Sequence, residues 1–237
     1  MKQLELTPRL LAAAQLVPPG AAVADIGTDH AYLPVWLLKQ GRVRYAIAAD
    51  LRSGPLERAR QTAREHDCTQ NIDFRLCDGL SAIRTDEVDT IVIAGMGGET
   101  IAAILQAAAW TRDGRYTLIL QPMSAQNDLR HWLWKNGYGV REERIVCEGD
   151  KLYNIMLAGF GGAVPMTLGE EWAGRQTPDL DQPLRGEFLA RLLYKTTRAI
   201  DGISRGKDGG DRERLAELTR LQEELSQMKK EWAQWQP

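Results

Sequence analysis

Apolar residues in the first two thirds of the chain gather in short runs, most of them stopped at or near an acid or a glycine. Ala22 to Ile26, Tyr45 to Ala49, Ile72 to Leu76, Val88 to Ala94 and Tyr116 to Leu120 are the strand candidates, and short, mostly apolar runs of this kind mark parallel strands in a buried sheet. The fourth is the clearest, because Ile91, Val92 and Ile93 are all β-branched and the run stops at Gly95-Met96-Gly97-Gly98. Helices are predicted between them. One runs from Arg9 to Leu16, with Thr7 as its cap and Pro8 at its first position. Others cover Pro34 to Leu38, Ser53 to His66 with Ser53 as cap, Glu99 to Ala109, and Ala125 to Asn136, the last closed by Gly137 in a left-handed turn. Val140 to Val146 and Leu152 to Ala158, joined by Glu148-Gly149-Asp150, predict a β-hairpin. Five strand-helix units followed by a hairpin predict an open, mostly parallel α/β sheet with helices on both faces and an antiparallel edge.

The pattern changes after Phe160. Residues 161–182 carry Gly161, Gly162, Pro165 and Pro178, with Pro183 just beyond, and read as a linker. Two helical segments follow, Leu184 to Ser204 and Arg212 to Trp235, separated by Gly206-Lys207-Asp208-Gly209-Gly210. In the second, Leu218, Leu221, Leu225, Met228, Trp232 and Trp235 recur at spacings of 3, 4, 3, 4 and 3, the seam of a coiled coil. Leu189, Leu192 or Leu193, Thr196, Ile200 and Ile203 give the first a matching stripe, so the two are expected to pair as an antiparallel helical hairpin. The expected organisation is a ligand-binding domain over residues 1–160 and a linker with helical hairpin over 161–237.

Composition narrows the function. The chain has 237 residues, 43% of them hydrophobic, enough for a large core and far from a disordered composition. Lys and Arg number 30 against 32 Asp and Glu, so the field of the whole molecule does not attract a polyanion and any nucleic-acid contact must be local. Cys68, Cys77 and Cys147 contain no C-x-x-C pair, which argues against a disulfide framework or thiolate metal site and predicts small buried hydrophobes. His30, His66 and His131 are too scattered for a metal cluster, so no metal is expected. The apolar stretch Leu10 to Val17 is too short to span a bilayer and lacks a strongly basic start, so a cytoplasmic protein without membrane contact is expected. A monomer is the expected oligomeric state.

The candidate chemistry lies at the strand ends, where open α/β sheets bind ligands. The first end reads Asp25-Ile26-Gly27-Thr28-Asp29-His30: a single glycine for a sharp turn, not the G-x-G-x-x-G of a dinucleotide site, and carboxylates that repel a pyrophosphate. Such an end suits a cationic or amino-acid group. Asp50, beside Leu51, can accept both hydroxyls of a ribose, and Asp78, followed by Gly79 and Leu80, can receive the amino group of an adenine. An adenosine with a positively charged amino-acid tail meets all three demands, and S-adenosylmethionine is that molecule. Each acid taken alone is as well explained as a turn former or helix cap; the three together point to the ligand.

The order Asp25-x-Gly27, Asp50, Asp78-Gly79 resembles a class I, Rossmann-like methyltransferase. The strings D-I-G-T-D-H-A-Y-L-P (25 to 34), D-G-L (78 to 80), I-A-G-M-G-G (93 to 98) and L-I-L-Q-P (118 to 122) closely resemble bacterial TrmK-type tRNA (adenine-22-N1)-methyltransferases, and the likeness runs over essentially the whole chain. Two further glycines expected of the general family are replaced by Asp29 and Ala31. The resemblance implies S-adenosylmethionine as cofactor, held by Asp25, Gly27, Thr28, His30, Asp50, Leu51, Asp78, Gly79, Leu80, Gly95, Met96 and Gly97, and tRNA as partner. Enzymes that methylate the exocyclic amine of adenine carry an (Asp/Asn/Ser)-Pro-Pro-aromatic motif after the fourth strand; here Ala94-Gly95-Met96-Gly97 stands there, whereas ring nitrogen N1 has a free lone pair and needs no such acceptor.

Asp29 is the candidate catalytic residue, a carboxylate to stabilise the positive charge that develops on the base; its alternatives are to cap the first helix of the domain or to hold the ligand's ammonium. Tyr32 is a candidate to stack on the base and His30 to line its pocket, or both simply pack. Gln121 and Pro122 are candidates to contact the target, or a plain turn. Arg191, Lys195, Arg198 and Arg205 share one helix face, and residues 184–207 hold six Lys or Arg against Glu187 and Asp201, a local +4 suited to a phosphate backbone. Lys2 and Arg9 could extend that patch; a solvated face is the alternative. Methylation of another RNA or a small molecule, or a noncatalytic module that binds cofactor or RNA, are the competing functional readings.

Overall fold

The computed structural model describes residues 4–205 and 212–236. It divides into two compact units, Met1–Val164 and Pro165–Pro237.

The first unit is built on seven strands: β1 (Ala21–Ile26), β2 (Val43–Asp50), β3 (Ile72–Leu76), β4 (Thr90–Gly97), β5 (Thr117–Ser124), β6 (Tyr138–Glu148) and β7 (Lys151–Phe160). They form one sheet in the order β3-β2-β1-β4-β5-β7-β6. The first five are parallel; β7 is antiparallel to both of its neighbours. The order reverses between β1 and β4, which opens a crevice at their carboxyl ends. Helices α1 (Pro8–Leu16), α2 (Tyr32–Lys39), α3 (Ser53–Glu65), α4 (Gly98–Ala107) and α5 (Gln126–Lys135) cover the faces. β4 shows why its run is uninterruptedly apolar. Ile91 and Ile93 pack with Ile101 and Leu105 on one face, while Val92 packs with Ala13, Ala14 and Leu37 on the other.

Several local expectations are corrected. Thr7 holds the cap position of α1 but its side chain makes no capping bond, and Ser53 lies inside α3 with Arg52 at the cap position. No helix joins β3 to β4, so the sheet has four strand-helix units rather than five. β4 and β5 run past their apolar segments to Gly97 and Ser124, because Ala94, Met96 and Gly97 still pair with Gln121, Pro122 and Ser124. At Gly98 a side chain is excluded: a Cβ would lie 2.1 Å from the Ala125 carbonyl oxygen, so only glycine lets α4 start this close to the turn before α5. Cys68 is buried as expected, but Cys147 is exposed at the end of β6.

The second unit holds α6 (Leu168–Ala173), α7 (Arg185–Arg205) and α8 (Arg212–Trp235). The stretch expected to be a linker contains α6, started by a capping box in which Thr167 and Glu170 exchange side-chain and backbone bonds. α7 and α8 are antiparallel neighbours: Gly186 lies against Trp232, and Gln222 donates to Thr197 at 2.8 Å. Leu218, Leu221, Leu225, Met228 and Trp232 are buried, with Phe188, Leu189 and Thr196 buried on α7. Arg185, also buried, donates to the carbonyls of Ala173 and Gly174 after α6. The glycine-rich connection at 206–210 and Lys2 lie outside the described residues. No helix among the described residues is long and apolar enough to cross a membrane.

Candidate functional site

A cleft of about 780 Å³ lies at the carboxyl ends of β1, β2 and β4. Gly27, Asp50, Leu51, Asp78, Gly79, Leu80 and Met96 line it, all of them sequence candidates. Asp50 is almost fully buried and is aimed by its own loop: the backbone N–H of Arg52 donates to its Oδ1 at 2.8 Å. Asp78 is exposed at the opposite rim, followed by Gly79 with φ of +52°. A Cβ on Gly79 would press on Ile104 of α4 at 3.1 Å, so the turn and the helix wall are fitted to each other. Gly27 turns with φ of +77°, and the Met96 methyl lies where a Cβ would stand, 2.1 Å from that point. The cleft wall also includes Cys77, Ile83, Thr100, Ile104 and Trp110. They were not legible as candidates, because apolar residues on α4 and the loop before β4 read as ordinary core.

Asp25 and Thr28 are placed differently from the expectation. Neither lines the cleft; both are buried behind the first turn. The Thr28 hydroxyl accepts from the Ala31 N–H at 3.1 Å and also bonds the Asp25 carboxyl. Burial raises the pKa of Asp25 to about 6; the Thr28 bond opposes this and the nearby Asp50 charge adds to it.

Asp29, two residues past the Gly27 turn, is likewise outside the residues that line the cleft, with its side chain 62% exposed. Arg58 of α3 pairs with it, and His30 Nε2 is 3.6 Å away. The Arg58 hydrogen bond holds the Asp29 carboxyl below the usual carboxylate range. Capping of α2 is excluded for Asp29, since Ala31 occupies the cap position and its N–H is taken by Thr28. His30 and the half-exposed Tyr32 stack with ring centres 4.9 Å apart and planes within 4°.

At the other side of the crevice the pairing of β4 with β5 skips one residue: Ala94 faces Gln121, Met96 faces Pro122, and Gly95 is left in a bulge with φ of +81°. Gln121 is fully buried, and its amide is engaged within the protein. Its Oε1 accepts from Gly95 N–H and from Arg9 Nη1, each at 3.1 Å, and its Nε2 donates to the Pro122 carbonyl at 3.0 Å. Gln121 and Pro122 are thus inside the wall and not on a contact surface, which corrects the expectation that they meet a target directly. Gly97 stands at the cap position of α4. Arg9, expected to extend a basic patch, belongs instead to this wall. Among the described residues no group of three or more His, Cys, Asp or Glu is arranged to hold a metal ion.

In the second unit Lys195, Arg198 and Arg205 are exposed along α7, Arg198 lying 5.9 Å from the Tyr194 ring. Arg191 is half-exposed and paired with Glu187 at 2.5 Å. The stripe exists, with one of its four charges partly neutralised.

The cleft fits an adenosine with a cationic tail. Asp50 offers a buried, oriented carboxylate at the tip of β2, the Asp78 loop offers polar groups at the far rim, and Gly27 makes room for the Met96 side chain that lines the middle. No side chain at Ala94 to Gly97 could accept hydrogens from an exocyclic amine.

Comparison with known proteins agrees with this geometry. Residues 6–156 match the family model described as a methyltransferase domain. The tRNA (adenine(22)-N(1))-methyltransferase of Bacillus subtilis is 39% identical over 161 residues, 68% of this chain and 68% of that protein. The crystal structure of the B. subtilis tRNA methyltransferase TrmK superposes with a TM-score of 0.87 at 31% identity, covering 96% of this chain and 100% of that one. The Streptococcus pneumoniae protein Sp1610, solved in complex with S-adenosyl-L-methionine, gives a TM-score of 0.80 at 29% identity over 93% of this chain and 98% of that one.

Proposed function

The chain belongs to the family of bacterial TrmK-type tRNA (adenine-22-N1)-methyltransferases, and on that footing we propose how its own residues carry the reaction. It is an S-adenosylmethionine-dependent enzyme that methylates N1 of an adenine in tRNA, position 22 by its family. The observation that carries the residue-level reading is the cleft whose wall joins Gly27, Asp50, Asp78 and Met96 at the point where strand order reverses.

When bound, S-adenosylmethionine supplies a methyl group on a positively charged sulfur, open to attack by a lone pair. Asp50 accepts the ribose hydroxyls, and the Asp78 to Leu80 loop borders the adenine ring. Gly27 turns the chain and lets Met96 lie over it as a floor for the ligand, and Asp25 contributes negative charge from behind the turn. The acceptor approaches over the bulged end of β4, where Gly95 presents no side chain to hinder a flat base. N1 already has an in-plane lone pair, so no residue need remove a proton before attack; positioning supplies much of the rate. Asp29, kept anionic by Arg58, stabilises the positive charge that develops on the base. Tyr32, backed by the parallel ring of His30, offers a face for the base to stack on. N1 lies on the pairing edge, so the adenine must leave its stack to reach this rim. The exposed cations of α7 provide phosphate contacts to the tRNA.

The deciding experiment incubates the protein with tritiated S-adenosylmethionine and tRNA transcripts, then maps reverse-transcriptase stops. Label accompanied by a new stop at adenine 22 is expected, because a methyl on N1 blocks pairing. Label without a stop would reject N1 as the acceptor, and no label would reject tRNA as substrate.

A further inference from the structure

A fully buried glutamine directly after Leu118, Ile119 and Leu120 in β5 needs a reason, since burying an amide is costly unless its groups are bonded. The reason lies in β4. Bulges are rare in parallel pairs, and this one takes Gly95 out of the ladder. The Gln121 carbonyl oxygen receives the Gly95 N–H in place of a ladder partner, while its amino group is tied to Pro122 O. The same oxygen receives Arg9 Nη1.

Arg9 is itself gripped twice by one carboxylate. Its backbone N–H donates to Glu148 Oε2 at 3.2 Å and its Nε to Glu148 Oε1 at 3.3 Å, while the Tyr153 ring lies 6.0 Å from the guanidinium. Burial works to raise the pKa of Glu148, but bonds from Thr7 and the Arg9 backbone outweigh it and keep the group anionic. Beyond the bulge, Met96 reaches across to cover Gly27 and lines the cleft. A continuous chain of contacts thus runs from the β6–β7 hairpin through α1 and β5 to the rim of the site: Glu148, Arg9, Gln121, Gly95, Met96, Gly27.

We propose that Arg9 and Gln121 are positioning residues for methyl transfer, acting together through the Gly95 bulge to set the β4 rim against the reacting groups. The inference rests on the methyltransferase reading above. Neither residue touches the reacting atoms. Removing either link lets the bulge relax and misplaces the acceptor, a loss expected in turnover more than in cofactor affinity.

The test measures kcat at saturating tRNA, cofactor Kd by calorimetry and Tm for Arg9→Met, Gln121→Met and the double variant. Each single change is expected to lower kcat about 10- to 20-fold while Kd stays within about threefold, as sub-ångström misplacement does. Because the two act through one bulge, the double variant should be no worse than the more damaging single one, rather than about 200-fold down as independent effects would give. Arg9→Lys keeps a cation for Glu148 but cannot span to Gln121; it should regain Tm without regaining kcat, which a purely structural role would not do. Unchanged kcat, equal losses in kcat and Kd, multiplying effects, or recovery of turnover by Arg9→Lys would each overturn the inference. If Gln121→Met fails to fold, Arg9→Met and Arg9→Lys carry the test. A wild-type protein that methylates no tRNA overturns the functional reading and this inference with it, whereas an active wild type with an unaffected Arg9→Met overturns this inference alone.

Discussion

The two halves of the sheet's carboxyl end do different work by different means. On the β1–β3 side the cleft presents charged side chains, Asp50 at the end of β2 and Asp78 two residues past the end of β3. On the β4–β5 side the wall is neutral backbone, shaped by a bulge and held by Gln121 and Arg9, which are 112 residues apart in sequence. A carboxylate recognises a ribose or an ammonium by its own charge. An acceptor base approaching N1-first needs an unobstructed surface at a fixed distance, and shape of that kind has to be built from several elements.

The largest effect that tests this contrast is expected on the acidic side. Asp50→Ala removes two charge-assisted hydrogen bonds and should weaken S-adenosylmethionine binding about 100-fold by calorimetry, at about 1.5 kcal/mol or more each. A Kd within threefold of wild type would take Asp50 out of ligand recognition. Next in size is Asp29→Ala, where turnover should drop about 30-fold with little change in Kd, since the carboxylate acts on charge that develops only in the reaction. Parallel losses in both quantities would move Asp29 to the cofactor-binding side.

The pH dependence comes third. Burial raises the pKa of Asp25 to about 6, and a cation bound nearby favours its charged form, so affinity should be full above that pH and fall as pH drops through it. Between pH 7 and 5 the loss should be about tenfold, and Asp25→Asn should flatten the profile while lowering affinity throughout. Without ligand, the raised native pKa means that charging Asp25 costs stability as pH rises from its unfolded value of 3.8 through about 6. Asp25→Asn should therefore raise Tm at pH 8 and leave it unchanged at pH 4; the reverse order would refute the burial argument.

The smallest effect lies outside both halves. Arg191→Glu with Lys195→Glu should raise the tRNA KM about fivefold at low salt, with a shallower salt dependence and unchanged kcat. An unaltered KM would make the α7 stripe a solvated face.

How much of this was legible in the sequence follows from how each feature is encoded. The strand runs and their order along the chain were readable because a strand buried on both faces, such as Ile91 to Ile93, must be apolar throughout. Gly137 was readable as a turn because few other residues take its φ of +85°. Thr7 stands at the cap position of α1 as its sequence implies, whereas Ser53 falls one residue inside α3, because many residues besides a hydroxyl can precede a helix. The helix α6 was hidden by the prolines and glycines around it, although Thr167-x-x-Glu170 was a signal available to find it. Asp25 carries a related ambiguity: an acid at a strand end can point into the crevice or behind it, and here its carboxyl is buried beside the Thr28 hydroxyl.

By itself the sequence determined the class of sheet, the acids that end its strands and the family, because periodicity, chain-stopping residues and charge type are local properties that survive without coordinates. Only the tertiary structure decided which acids face the cleft, that Arg58 holds Asp29, and that Gln121 belongs to the wall of the site. Those outcomes depend on partners brought together from distant segments, Arg9 and Glu148 above all, and a hydrogen bond between residues 139 apart leaves no mark in the spacing of either.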